Sequence, residues 1–215
     1  VGAVDSCRGS GPRPGPGHVS LLVTGFEPFD GQPVNASWLA VQALARDWRG
    51  GGLETLCLPV SYARAPVTLL AAVERLRPEV VLCTGEAGGR AALSVERVAL
   101  NVADARIPDN DGAQPVDETL VPGESLALPT GLPLRACVDA VARAGVDVEV
   151  SSSAGTFVCN AVFYALARAL VGTGLPHGFV HVPRTPAQVP APGGGMPADV
   201  AATGLAAILS TCAAT

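Results

Sequence analysis

Val146-Asp147-Val148-Glu149-Val150-Ser151-Ser152-Ser153-Ala154-Gly155-Thr156-Phe157-Val158-Cys159-Asn160 changes its character partway through. A β-rich run over 146–150 gives way to small, hydroxylated and glycine residues. An apolar helical pattern then follows over 157–170. A strand feeding a helix through a short polar turn is the building unit of α/β folds. Cys159 falls in the first turn of that helix. There the N–H groups without intrahelical partners carry partial positive charge, which favours thiolate over thiol. Cys159 is therefore a candidate nucleophile. The competing reading is a small buried hydrophobe, because free cysteine is among the most buried residue types.

The same alternation extends in both directions. Residues 19–24 read as a strand, and Asn35 or Ser37 can cap a helix reaching to about Trp48. Residues 53–60 read as a strand, 63–76 as a helix, and 79–84 as a continuous apolar strand of the kind covered on both faces. An extended stretch over 93–102 contains Glu96. Beyond it, 134–144 is helical, 178–182 a strand and 199–211 a closing helix. The order predicts a single-domain three-layer α/β/α sandwich around a mostly parallel, twisted mixed sheet, spanning 19–215. Residues 1–18, with Gly-Ser-Gly-Pro-Arg-Pro-Gly-Pro-Gly, read as a flexible leader outside that domain.

Composition narrows the function classes. The 215 residues are 48% hydrophobic and 15% charged, enough apolar content for one sizeable core. A formal net charge of -5 argues against nucleic acid as partner. All 14 basic residues are Arg, which removes Schiff-base and P-loop lysine chemistry. The 6 cysteines show no C-x-x-C spacing, so a zinc ribbon or thioredoxin-like motif is not expected. Cys57 and Cys83 in strand-like runs and Cys137 in a helical one read as core thiols of a reducing compartment. With no long apolar span and no signal-peptide pattern, the expected setting is cytoplasmic, away from the membrane.

A thiol nucleophile needs a base, and the base needs an orienting group. Of the 3 histidines, His18 lies at the leader boundary and His177 in a turn-like Leu-Pro-His-Gly. His181 lies near the end of an apolar strand that Pro183 closes, so it is the candidate base; a hydrogen-bonded structural histidine is the other reading. Glu96, in an otherwise apolar segment, calls for a buried partner, and a histidine would serve; a surface salt bridge is the alternative. Gly85-Glu86-Ala87-Gly88-Gly89-Arg90 reads as a close-approach turn rather than a phosphate loop. Phe26 and Phe29 read as exposed-turn aromatics, either lining a ligand site or covering the sheet edge. The 104–130 segment is long enough to be a lid or binding loop. Its Asp109-Asn110-Asp111-Gly112 resembles part of a calcium loop, but Leu120 stands where the twelfth-position Glu is required, so no metal is expected.

Several blocks stand in order along the chain: Leu22-Val23-Thr24-Gly25-Phe26-Glu27-Pro28-Phe29, Val34-Asn35-Ala36-Ser37-Trp38, Gly88-Gly89-Arg90, Glu96-Arg97-Val98-Ala99, Asp104-Ala105-Arg106-Ile107-Pro108-Asp109-Asn110, Ala154-Gly155-Thr156-Phe157-Val158-Cys159-Asn160 and Gly178-Phe179-Val180-His181-Val182-Pro183. Together they resemble the pyroglutamyl peptidase I family of cysteine peptidases. The resemblance implies hydrolysis of the amide bond after an N-terminal pyroglutamyl residue of peptides, with no cofactor and no metal. It implies Cys159 as nucleophile, His181 as general base and acid, Glu96 as orienting carboxylate, and Arg106 beside the oxyanion. It implies a lactam pocket walled by Phe26 and Phe29, with Asn35 and the Glu86 backbone as polar contacts and Phe157 and Val158 at its border. It also implies a homo-oligomer, commonly a tetramer. Position 86 departs from the family's usual Gln. A Glu86 charge in the pocket would shift substrate preference, which motivates a related thiol amidase or acyltransferase for another small acyl group as the alternative. A catalytically silent small-molecule-binding protein on the same scaffold is the third reading.

Overall fold

A computed structural model describes residues 21–189 and 194–214. The expected leader, with Cys7 and His18, lies outside them. Eight strands and five α-helices follow in the order β1 (Leu21–Phe26), α1 (Ala36–Asp47), β2 (Leu53–Leu58), α2 (Arg64–Leu76), β3 (Val80–Ala87), β4 (Leu93–Glu96), β5 (Val98–Leu100), β6 (Ala127–Pro129), α3 (Leu134–Arg143), β7 (Val148–Ser151), α4 (Val158–Leu170), β8 (His177–Pro183) and α5 (Ala198–Ala213). Six strands form one sheet in the order β2-β1-β3-β8-β4-β7. Strands β2, β1, β3 and β8 are mutually parallel, whereas β4 runs antiparallel to β8 and parallel to β7.

Both sheet faces are covered, which is why β1, β3 and β8 are buried along almost their whole length. Alternate residues feed two cores. Leu21, Val23, Leu82, Val95, Val180 and Val182 pack under α1, α3 and α5; Leu22, Val81, Cys83 and Phe179 pack under α2 and α4. The three-layer sandwich with its mixed sheet is thus the observed architecture. Gly204 on α5 is needed for this packing, because a Cβ there would collide with Leu93 Cδ1.

Three local expectations change. Strand β1 continues to Phe26, which is 2% exposed: Phe26 ends a strand and is not an exposed-turn aromatic. Likewise β3 extends through Glu86 and Ala87, so the turn begins only at Gly88. The 93–102 stretch breaks after Glu96, with β5 leaving the main sheet to pair with β6.

The 104–130 segment is fastened by hydrogen bonds although most of its residues are exposed. Asp109 Oδ2 accepts the Tyr62 N–H at 2.9 Å, and Asp109 Oδ1 accepts the N–H groups of Asp111 and Ala113 at 2.9 and 2.8 Å. Asn110 donates to Glu27 Oε1 at 2.8 Å and to the Pro28 carbonyl at 3.0 Å. The calcium-like fragment is therefore a bolt that fastens the segment to the β1–α1 and β2–α2 turns. Among the described residues no cluster of His, Cys, Asp or Glu is arranged to hold a metal ion. No described helix is long and apolar enough to cross a membrane.

Candidate active site

Strand register places the reactive groups on one face of the sheet. Gly85 of β3 pairs with His181 of β8, and His181 pairs with Ser94 of β4, two residues before Glu96. With side chains alternating, His181 and Glu96 both face α4. Their contact is direct: His181 Nδ1 lies 2.7 Å from Glu96 Oε1. Arg90 Nη1 donates to the same oxygen at 2.8 Å, tying the turn after β3 to the end of β4. Glu96 is wholly buried, and its Oε2 has no hydrogen-bond partner. The buried carboxylate therefore has two cationic or donor neighbours at one oxygen, not the bland surface pairing.

Cys159 reaches this face by an unexpected route. Strand β7 is antiparallel to β8, so its carboxyl end at Ser151 lies beside Glu96, level with Phe179. The chain over 152–157 has to double back to set α4 beside the Gly85–His181 pair. Cys159 thus follows the carboxyl end of a strand that runs against β8. Its Sγ sits over Gly85, where a Cβ would lie only 2.6 Å from it. Gly85 is the gap that admits the sulfur.

Helix α4 begins without a side-chain cap: Phe157 is its N-cap, and no side chain accepts from its first turn. Asn160 and Ala161 N–H groups both bond the Phe157 carbonyl, at 3.0 and 3.2 Å. The N–H groups of Val158 and Cys159 precede the first intrahelical bond and face the start of the helix. Asn160, fully buried, holds this turn in place. Its Oδ1 accepts the Leu100 N–H at 2.8 Å, and its Nδ2 donates to the Leu100 and Val102 carbonyls at 2.8 and 2.9 Å.

Cys159 and His181 share the wall of a cavity of about 120 Å³ with Phe26, Phe29, Asn35, Val60, Glu86, Ala154, Gly155, Thr156, Phe157 and Val158. Its walls are mainly aromatic and aliphatic. Phe29 and Phe157 rings stand 6.1 Å apart, and Tyr62 meets the Phe157 ring edge-on at 5.6 Å while its hydroxyl donates to the Thr156 carbonyl at 2.9 Å. Asn35 caps α1, accepting from the Ser37 N–H at 3.0 Å and donating to the Glu27 carbonyl at 3.0 Å. Tyr62 and Arg90 join the site without a role predicted from the sequence: the Gly88-Gly89-Arg90 turn offers a cation near a buried Glu96, whereas nothing local marks Tyr62.

Arg106 is not among the residues that line this cavity. It is exposed on the 104–130 segment, and its carbonyl accepts from Gln114 Nε2 at 3.2 Å. Glu86 lines the cavity, yet its carboxylate belongs to the other face of the sheet. There it accepts from the Ala36 N–H, Gln188 Nε2 and Arg184 Nε at 2.8, 2.8 and 3.0 Å. The departure at position 86 therefore brings no unpaired charge into the pocket.

Electrostatics corrects the expectation of a lowered thiol pKa. Burial, reinforced by the nearby Glu96 charge, pushes the Cys159 thiol up to about 12, and its own backbone N–H offsets this only in part. Burial likewise lowers the His181 pKa, against the opposing pull of Glu96. Both shifts favour the neutral forms of the thiol and the imidazole, so the helix start alone does not make Cys159 a thiolate.

The family model for pyroglutamyl peptidase matches residues 19–214. The pyrrolidone-carboxylate peptidase of Pseudomonas fluorescens is 48% identical over 171 residues, covering 79% of this chain and 80% of that protein. That of Streptomyces coelicolor is 46% identical over 202 residues, covering 91% and 92%. Among solved structures, pyroglutamyl peptidase I from Bacillus amyloliquefaciens aligns with a TM-score of 0.85 at 34% identity, covering 92% of this chain and 96% of that one. Pyrrolidone carboxyl peptidase from Thermococcus litoralis aligns at 0.81 and 34% identity, covering 91% and 93%.

Proposed function

Because the chain belongs to the pyroglutamyl peptidase family, we propose that it hydrolyses the amide bond after an N-terminal pyroglutamyl residue of peptides, with Cys159, His181 and Glu96 as its catalytic triad. The observation that carries the reading is the shared wall: Cys159 and His181 line one small apolar cavity, with Glu96 on the far nitrogen of the imidazole. Pyroglutamate is a compact neutral lactam with no ammonium group. Aromatic walls with a few polar groups suit it, whereas an ordinary amino terminus would lose its hydration there without a counter-charge.

The steps follow from the geometry. Donation from His181 Nδ1 to Glu96 leaves Nε2 as the basic nitrogen. Nε2 takes the Cys159 proton, and Sγ attacks the pyroglutamyl carbonyl carbon. The imidazolium so formed is held by Glu96. Backbone N–H groups of Val158 and Cys159 receive the oxyanion. As the C–N bond breaks, His181 returns the proton to the leaving amine, which departs with a thioester left on Cys159. Water then attacks the thioester, giving its proton to His181, and pyroglutamate leaves as the thiolate is reprotonated.

The alternative acyl specificity drew its motive from a Glu86 charge in the pocket, and the bonding of that carboxylate on the opposite face weakens the motive. A homo-oligomer is carried by the resemblance alone, and a cytoplasmic setting by the reading of the sequence alone. Light scattering and fractionation test them. The decisive experiment is release of a fluorophore from a pyroglutamyl amide by reduced wild type and by Cys159→Ala. Turnover by wild type and none by Cys159→Ala is expected. An inactive wild type sinks the reading, which would leave the silent binding protein; activity surviving in Cys159→Ala would overturn the nucleophile.

A further inference from the structure

The Glu86 carboxylate accepts three N–H donors, one from the start of α1 and two from the segment that follows β8, and has none of its own to give. Ala36 N–H is the first of α1, at the positive end of that helix. Gln188 Nε2 is aimed at Glu86 because its Oε1 is held by the N–H and the hydroxyl of Thr185, both at 2.9 Å. Arg184 Nε completes the set, and its guanidinium lies where a Cβ on Gly88 would be 3.3 Å away. The Glu86 side chain is 1% exposed and Arg184 30% exposed, so the pair is largely withdrawn from water.

We propose that Glu86 and Arg184 form a matched positioning pair that fixes Asn35, the polar wall of the lactam pocket, from the opposite face of the sheet. The proposal rests on the reading of that cavity as a lactam site. Ala36 directly follows Asn35, so holding the Ala36 N–H holds the α1 cap. The Asn35 amide is itself tightly assigned: Oδ1 serves the Ser37 N–H and hydroxyl, and Nδ2 serves the Glu27 carbonyl. One Nδ2 hydrogen is left by this count to meet a ring carbonyl in the cavity.

Matching is required by donor arithmetic. A glutamine at 86 would turn its own NH₂ against one of three donors, Arg184 included. Removing Arg184 alone would leave Glu86 as a buried carboxylate with no cation. Removing both charges together relieves each fault. Neither side chain bonds Cys159, His181 or Glu96, which lie on the other face, although the Glu86 charge adds a small part to the rise of the Cys159 thiol pKa.

The test is a double-mutant cycle with E86Q, R184M and E86Q/R184M. It reads kcat and KM on a pyroglutamyl amide, the Kd of 2-pyrrolidone by calorimetry, and thermal unfolding of each variant. R184Q is run beside R184M so that a misfolded variant does not close the cycle. Each single change is expected to raise KM and Kd by about tenfold, more than it lowers kcat, and the double variant is expected to recover most of that loss. Additive losses in the double variant, singles indistinguishable from wild type, or a fall confined to kcat would each overturn the pairing while leaving the lactam reading intact. A wild type that neither cleaves the amide nor binds 2-pyrrolidone would overturn the lactam reading, and the pairing with it.

Discussion

His181 Nδ1 and Glu96 Oε1 stand 2.7 Å apart in a region closed to water, and the neighbouring oxygen of the same carboxylate is unpartnered. The orientation of the imidazole therefore depends on a single oxygen. Glu96→Gln removes the negative charge that stabilises an imidazolium and lets an NH₂ group face the ring. A loss of roughly 10²- to 10⁴-fold in kcat is expected, by analogy with other orienting carboxylates. Steady-state kinetics with the fold checked by circular dichroism measures it; near-wild-type kcat would remove Glu96 from the mechanism.

Arg90 bonds the same Oε1 at 2.8 Å, and its charge works against a proton on His181. Burial is the larger cause and acts in the same direction, below the usual 6.5. Since the neutral imidazole is the base, the acid limb of kcat/KM should lie below pH 6.5 in wild type. Arg90→Met removes one of the two lowering influences, so the limb should move to higher pH. An unmoved or acid-shifted limb would contradict this electrostatic arrangement.

Gly85 offers a steric test of the thiol's place. An added Cβ would lie 2.6 Å from Cys159 Sγ and 2.9 Å from Phe179 Cζ, well inside contact distance. Gly85→Ala must therefore displace the sulfur or the ring. The backbone there is ordinary strand, so Ala itself is tolerated conformationally. A fall in kcat of about tenfold or more is expected while the protein still folds, because a misplacement near 1 Å is costly in rate. Unchanged kcat would mean that Cys159 reacts from another position.

The layer order was legible because strong local signals carried it, the 146–170 change of period and the continuous apolar β3; that Glu96 and His181 meet followed from a carboxylate and a histidine in apolar strands. The direction of β7 was not legible. A strand–turn–helix pattern looks the same whether the strand runs with or against its sheet, and only the pairing of β4 with β8 decides it. Exposure of Phe26 was misread for a related reason, since a Gly-Phe-Glu-Pro stretch resembles a turn until the register extends β1 by two residues. The thiol pKa required knowledge of burial: a helix start argues for thiolate, but at Cys159 desolvation is the larger effect. The Glu86 network joins residues nearly a hundred positions apart, which no spacing rule encodes.

Alkylation separates these effects. Burial holds both Cys83 and Cys159 up at about 12, so thiol acidity does not set them apart. Accessibility does: Cys83 is buried, whereas Cys159 is partly exposed and lines the cavity. Iodoacetamide should label Cys159 ahead of Cys83, as peptide mapping would read. His181→Gln should slow that labelling by removing the base that draws off the proton. Equal rates at the two thiols, or labelling indifferent to His181, would argue against base-assisted activation.

Stability should show a plateau bounded on both sides by groups buried in neutral form. The acid side is set by His181 and His177, both lowered from the usual 6.5 chiefly by burial. Below pH 6.5 the unfolded chain gains protons that the folded one does not, so stability falls with pH until the folded histidines also titrate. On the alkaline side Cys83 and Cys159, raised by burial from the usual 9.0 to about 12, act together with Tyr62 and Tyr164, which burial raises from 10.0, and with Cys212, raised beside Cys137. Above pH 9.0 the unfolded chain releases protons that the folded chain retains, so stability falls again as pH rises toward 12. Urea midpoints measured from pH 5 to pH 11, on the order of these pKa values, should trace the plateau. Cys159→Ala should flatten its alkaline edge, and His181→Gln its acid edge. An alkaline edge unchanged in Cys159→Ala would show that the buried thiol is not among the groups that set it.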